Sequence, residues 1–244
     1  MRLAPSPILA TFLLTAPASA LAQFTPYLES FDTFPTCGTT CGNACELPVA
    51  SGWTNDINND NADWTVNSGA TPSNTTGPST DHTLGNGQGR YLYTEASDPC
   101  QGRVAELFSP VLDPTGATLP AIRFWYHMHG SSMGTLRVDS LQGTVRTADI
   151  MPPLTGDLDT WQQSPCAPLN PAGGPLQVIL RGEIGPSWRS DMAIDDFEML
   201  DIGVPDVRLS AVRLITTGAG FCAGAETVEV EVDRDRLVGR EVQR

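Results

Sequence analysis

The sequence predicts an all-β antiparallel sandwich, and three observations carry that reading. No long segment shows a 3.6-residue apolar period bounded by helix caps. Short strand-like runs alternate instead with clusters of Gly, Pro, Asn and Asp. In the run AIRFWYHMH over 121–129, Ile122, Phe124, Tyr126 and Met128 alternate with Arg123, Trp125, His127 and His129. A period of two sends these sets to opposite faces of a strand, and the first set is the natural core face.

The elements follow in chain order. Arg2, the apolar run 8–15 and the small residues Ala18, Ala20 and Ala22 before Gln23 predict a secretory signal peptide over 1–22. Pro5, Pro7 and Pro17 argue against a buried helix there. No later stretch reaches the ~18 apolar residues of a membrane span, so no transmembrane anchor is expected. Export makes Cys37, Cys41, Cys45, Cys100, Cys166 and Cys222 disulfide candidates, with connectivity left open by the spacing. Five of these six lie between 27 and 202, so either one is free or Cys222 reaches back.

Residues 54–90, rich in Asn, Gly, Ser, Thr and Pro, read as a long loop, functional or locally folded. Asp56, Asn58 and Asp60 match the first ligand positions of a calcium-binding loop. Asn61 and Asn67 stand where that loop needs glycine and a bidentate glutamate, so turn chemistry is the better account. Strands are predicted over 90–95, 104–109, 121–129, 135–140, 176–182 and 192–200, with 165–175 as a proline-rich loop. Residues 204–244 read as an incomplete Ig-like segment or a C-terminal β-hairpin, since ~40 residues rarely fold alone.

Composition narrows the function. The formal charge is -14 and every basic residue is arginine. An acidic chain repels phosphate backbones, so no nucleic-acid partner is expected. Without lysine there is neither a Schiff-base nucleophile nor a P-loop lysine. HExxH and GxSxG are absent. His127 and His129 share a strand face and in principle clasp a metal, but no third ligand is evident and His82 lies in another segment. They therefore read as a sheet-face pair, opposite the core residues Phe124, Tyr126 and Met128.

Several motifs then occur in order: FDT at 31–33, GWTND at 52–56, DHT at 81–83, GRYLYTEAS at 89–97, AELFSPVL at 105–112, FWYHMHGSSMGTLRV at 124–138, and SDMAIDDFEML at 190–200. Together they resemble the MAM domain over about 27–202, with loop spacing like that of bacterial-type members. The resemblance implies a jelly-roll β-sandwich of two antiparallel sheets over 23–203. It implies a secreted, non-catalytic adhesion or recognition module that meets a protein or carbohydrate ligand at the cell surface, within a larger multidomain protein. The alternative is an accessory domain of an exported protease or glycoside hydrolase. It also implies a structural calcium ion near Asp32, Asp81, Asp195 and Asp196. Asp195 and Asp196 are adjacent on a strand-like run, which predicts opposite side-chain directions. The cysteine that animal members carry just before the strand at 121–129 is replaced here by Leu119, Pro120 and Ala121, so their disulfide pattern does not transfer.

Overall fold

The structure, a computed structural model, describes residues 23–41, 45–56 and 58–203. The signal peptide, the segment 204–244 and Cys222 lie outside these residues. Twelve strands are described: β1 Tyr27–Glu29, β2 Thr54–Asn55, β3 Trp64–Asn67, β4 Tyr91–Thr94, β5 Val104–Phe108, β6 Pro120–Met128, β7 Thr135–Gln142, β8 Val145–Thr147, β9 Leu158–Gln163, β10 Ala167–Pro168, β11 Gln177–Glu183 and β12 Met192–Asp201. They form two sheets, one running β10-β6-β12-β4-β3 with β1 joined to β12 and β9 joined to β6, the other β2-β5-β11-β7-β8. Every pairing between these strands is antiparallel, giving the jelly-roll sandwich.

The core lies between the inner faces. Ile122, Phe124, Tyr126 and Met128 of β6 are buried there, beside Ile194, Phe197 and Met199 of β12. From the other sheet come Leu107, Leu136, Val138, Val178 and Leu180. An aromatic cluster closes one end. The Trp53 ring meets Phe197 at 5.0 Å and Phe31 at 5.3 Å, and its Nε1 donates to the Tyr27 hydroxyl at 2.8 Å. Trp64 ties the sheets together. It sits on β3 of the first sheet, and its buried Nε1 donates to Ala105 O at 3.1 Å and Leu180 O at 3.2 Å on the second. Gly182 of β11 leaves room for the indole: a Cβ there would lie 3.1 Å from Trp64 Cζ2.

The segments read as loops hold further strands. The stretch 54–90 contains β2 and β3, and 165–175 contains β10. These are two- and four-residue pieces, too short for a periodic pattern to stand out, so pairing more than local pattern makes them strands. Asp56 builds a turn, accepting from Asn58 N at 2.8 Å, and Asp60 accepts from Glu106 N at 2.6 Å.

Two disulfides pin the N-terminal segment. Cys37 pairs with Cys45, eight residues on, and Cys41 with Cys100, fifty-nine residues on. Cys166 is disulfide-bonded as well, and no cysteine among the described residues is free. A free thiol within the sandwich is therefore excluded.

On the outer face of the second sheet, Glu106, Asp139, Arg146 and Arg181 form an ion-pair network. Burial acts to raise the Asp139 carboxyl, but the Asp149 N–H and the guanidiniums of Arg146 and Arg181 hold it below its ordinary value.

Candidate functional site

The outer face of the first sheet carries the concentration of titratable and aromatic side chains. Along β6 and β12 the outward cross-strand pairs are Arg123 with Glu198, Trp125 with Asp195, and His127 with Ala193. The 80–83 segment lies across this face. Trp161 of β9 donates its Nε1 to Thr80 O at 2.9 Å, and the His82 ring stacks on Trp125 with centroids 3.8 Å apart. This cover explains why Asp195 and His127 are buried although they point away from the core.

Three of the four aspartates named from the sequence meet at that turn. Asp81 is buried and caps it, accepting from Leu84 N at 2.6 Å and Asn86 N at 3.2 Å. Asp195 Oδ2 accepts from His82 N at 2.8 Å. Asp196 contacts the same residues, its Oδ2 lying 2.5 Å from His82 Nδ1 and its Oδ1 accepting from Thr83 Oγ1 at 2.7 Å. Asp32 approaches through the backbone of 89–90. It accepts from Arg90 N at 2.9 Å, and any side chain at Gly89 would overlap the Asp81 carboxylate.

Opposite directions for Asp195 and Asp196 were expected, and the structure corrects this. The β6–β12 register shifts between Asp195 and Glu198, and Asp196 has φ 45°. A bulge with one left-handed residue breaks the alternation, so both carboxylates reach the 82–83 backbone and side chains. Burial, and then the neighbouring Asp196 charge, push the Asp195 carboxyl up to about 8. The donors gathered here are hard carboxylate oxygens, the chemistry that suits calcium rather than zinc. Among the described residues, no group of three or more His, Cys, Asp or Glu side chains is already gathered at metal-binding spacing.

The histidine pair occupies the same sheet, at the β6–β9 junction. Leu158 faces Met128 across the strands, and Asp157 and Asp159 flank it as His127 and His129 flank Met128. His127 Nε2 lies 3.4 Å from Asp159 Oδ1, and His129 Nδ1 lies 3.1 Å from Asp157 Oδ1. Burial drops the His127 imidazole to about 4 despite the Asp159 carboxylate, so the ring is neutral at physiological pH. Sequence reasoning missed Asp157 and Asp159. The available signal was their D-x-D spacing, which matches H-x-H on a neighbouring antiparallel strand.

The family model described as MAM domain, meprin/A5/mu, matches residues 34–202. Neuropilin-1a of Danio rerio is 32% identical over 168 residues, covering 65% of this chain and 17% of that protein. MAM domain-containing glycosylphosphatidylinositol anchor protein 1 of Gallus gallus is 38% identical over 143 residues, covering 56% of this chain and 15% of that protein. The chain thus spans under a fifth of the length of these relatives. Both are animal proteins, and they lend no support to the bacterial-type reading of the loop spacing. Among solved structures, the K1 cleaved adhesin domain of Lys-gingipain from Porphyromonas gingivalis W83 aligns with TM-score 0.44 at 15% identity, covering 72% of this chain and 98% of that one.

Proposed function

This chain belongs to the MAM domain family, and from that premise we propose that it is a secreted, non-catalytic recognition module acting at the cell surface. The carrying observation is the family match over 34–202, which takes in eleven of the twelve strands, β2 to β12. A relative is named for a glycosylphosphatidylinositol anchor, which fits an extracellular setting. Among the described residues, no helix is long and apolar enough to cross a membrane. The ligand class is a protein or carbohydrate at the cell surface, and the module works within a longer protein. The test is direct: the purified chain, fluorescently tagged, is applied to cells with and without prior surface protease or glycosidase treatment. Saturable binding lost after one treatment supports the reading and names the class. Turnover of peptide or glycan by the chain alone would overturn the non-catalytic assignment.

Calcium is the cofactor of this reading. Asp81, Asp195 and Asp196, with Asp32 beside them, would hold it. A divalent cation would offset neighbouring carboxylates, Asp81 and Asp195 of them buried, that have no arginine side chain bonded to them among the described contacts. When bound, the ion supplies structural cross-linking of β12 to the 81–83 turn.

A pH dependence follows. The folded Asp195 carboxyl titrates near 8, above its ordinary value of 3.8, and Asp191 titrates near 7, raised by burial and then by Glu95. Both raised values give stability that is full below about pH 4 and lost as pH rises through 7 to 8. His127 acts in the other direction. Its depressed folded value gives stability present above its ordinary 6.5 and lost as pH falls toward 4. The calcium-free protein is therefore expected to melt lower at pH 8.5 than at pH 6. Calcium at a hundredfold excess over its Kd should restore about 2.7 kcal/mol. The Asp195→Asn variant should lose most of both effects. A melting temperature at pH 8 that does not move with chelator or calcium would sink the calcium assignment.

A further inference from the structure

We propose that His127, His129 and Asp159 form a binding site for a divalent transition metal of the zinc class, with Asp157 as the residue that orients His129. The site is separate from the aspartate cluster and differs from it in donor chemistry.

The argument begins with strand geometry. His127 and His129 stand two residues apart, so their side chains leave β6 on one face. β9 pairs antiparallel beside this end of β6 and brings Asp157 and Asp159 to the same junction. Two imidazoles from one strand and a carboxylate from the next are donor types that zinc accepts. Nitrogen-rich donors favour zinc, nickel or copper over calcium.

The hydrogen bonds assign the ring atoms. His129 Nδ1 lies 3.1 Å from Asp157 Oδ1, and that carboxylate is itself fixed by Gly130 N at 2.8 Å. The Nδ1–H therefore donates to Asp157 and leaves the lone pair on Nε2. A carboxylate holding the far nitrogen is the arrangement that orients metal-binding histidines. His129 Nε2 points toward Asp159, 4.0 Å from its Oδ2. His127 Nε2 faces the other oxygen of the same carboxylate at 3.4 Å. The His127 Nδ1 is buried without a hydrogen-bond partner, so Nε2 is the atom through which this ring engages a ligand.

Distance shows what remains to close. Tetrahedral zinc ligands at 2.0–2.1 Å from the metal lie about 3.3 Å from one another. The His127–Asp159 separation of 3.4 Å already meets this, and the His129–Asp159 separation of 4.0 Å is wider. That gap agrees with the absence of a gathered ligand group among the described residues. The Asp159 side chain is 68% exposed, so it turns toward His129 without disturbing the core. The exposed carboxylates also give the ion an open approach.

The experiment uses the full secreted chain, stripped with chelator and dialysed. Zinc binding is followed by calorimetry, and cobalt binding by visible absorption, which reports imidazole coordination. One equivalent of zinc is expected, with excess calcium failing to compete. His129→Gln and Asp159→Asn, both at solvent-accessible positions, are expected to weaken zinc by at least a hundredfold while far-UV circular dichroism stays unchanged. Asp157→Asn is expected to weaken it ten- to a hundredfold, the effect of removing an orienting carboxylate. Asp195→Asn should leave zinc binding intact, which separates this site from the calcium reading. Failure to bind zinc, or binding unchanged in His129→Gln and Asp159→Asn, would overturn the proposal. Binding that calcium displaces and Asp195→Asn removes would overturn it as well, by placing the ion at the aspartates.

Discussion

Replacing Trp64 with alanine is expected to cost about 3–5 kcal/mol of folding stability, the range for truncating a large buried aromatic. For a domain of this size each kcal/mol moves the melting temperature by roughly 2–4 °C. Three features place Trp64 at the high end. Its side chain is fully buried. Its Nε1 bridges to carbonyls on two strands of the opposite sheet, so removal strips a buried donor as well as area. The glycine at 182 has no side chain of its own to fill the space the indole leaves, and a cavity adds to the transfer cost. Trp64→Phe separates the contributions. It keeps most of the apolar contact and deletes the N–H, so it should cost about 1–3 kcal/mol. Urea unfolding of the two variants measures both. A loss below 1 kcal/mol for Trp64→Ala would show that the sheets are not held together at this point.

The sequence made the long central strands legible because both of its signals agreed there. The predicted strands at 104–109, 121–129 and 192–200 correspond to Val104–Phe108, Pro120–Met128 and Met192–Asp201. Each lies inside a sheet, where one face must be apolar, so apolar residues recur along it, most regularly in β6. The strands the sequence hid are short or polar. β9 reads LDTWQQ with four of six residues exposed, and β8 is exposed throughout. An edge strand has no second neighbour to demand a pattern, so its pairing is decided by the chain around it.

The candidate sites divide along the same line. DHT and IDD are local motifs, and a resemblance was enough to place Asp81, Asp195 and Asp196 together. The bulge that turns Asp196 toward His82 was not legible, because two adjacent acids in an apolar run look like continuous strand. The histidine pair was legible as a sheet-face pair, but its acidic neighbours were not. H-x-H and D-x-D both stand in the sequence, but nothing local relates residue 127 to residue 159. Only the pairing of Met128 with Leu158 does that. An edge strand without an apolar pattern thus conceals the carboxylates that lie beside the histidines.

Loss of the Cys41–Cys100 bond is expected to destabilise the protein more than loss of Cys37–Cys45, although three of these four cysteines crowd one short segment. A cross-link acts mainly on the unfolded chain, and its effect grows with the length of loop it closes. The separation of 59 residues between Cys41 and Cys100 corresponds to about 4 kcal/mol, and the separation of 8 between Cys37 and Cys45 to about 2.5 kcal/mol. Native contacts argue in the same direction. Cys100 is buried at the turn after β4, where its N–H donates to Ser97 O, so the longer bond fastens the N-terminal segment to the sandwich itself. Cys37 already has a second attachment, since its N–H donates to Val66 O on β3 at 3.0 Å. Paired variants, Cys41→Ala with Cys100→Ala and Cys37→Ala with Cys45→Ala, avoid leaving a lone thiol to reshuffle. Urea unfolding under non-reducing conditions should rank them in that order, with limited proteolysis cutting within 37–56 first in the Cys41/Cys100 pair. The reverse ranking would mean that strain or residual unfolded-state structure, not loop length, governs these bonds.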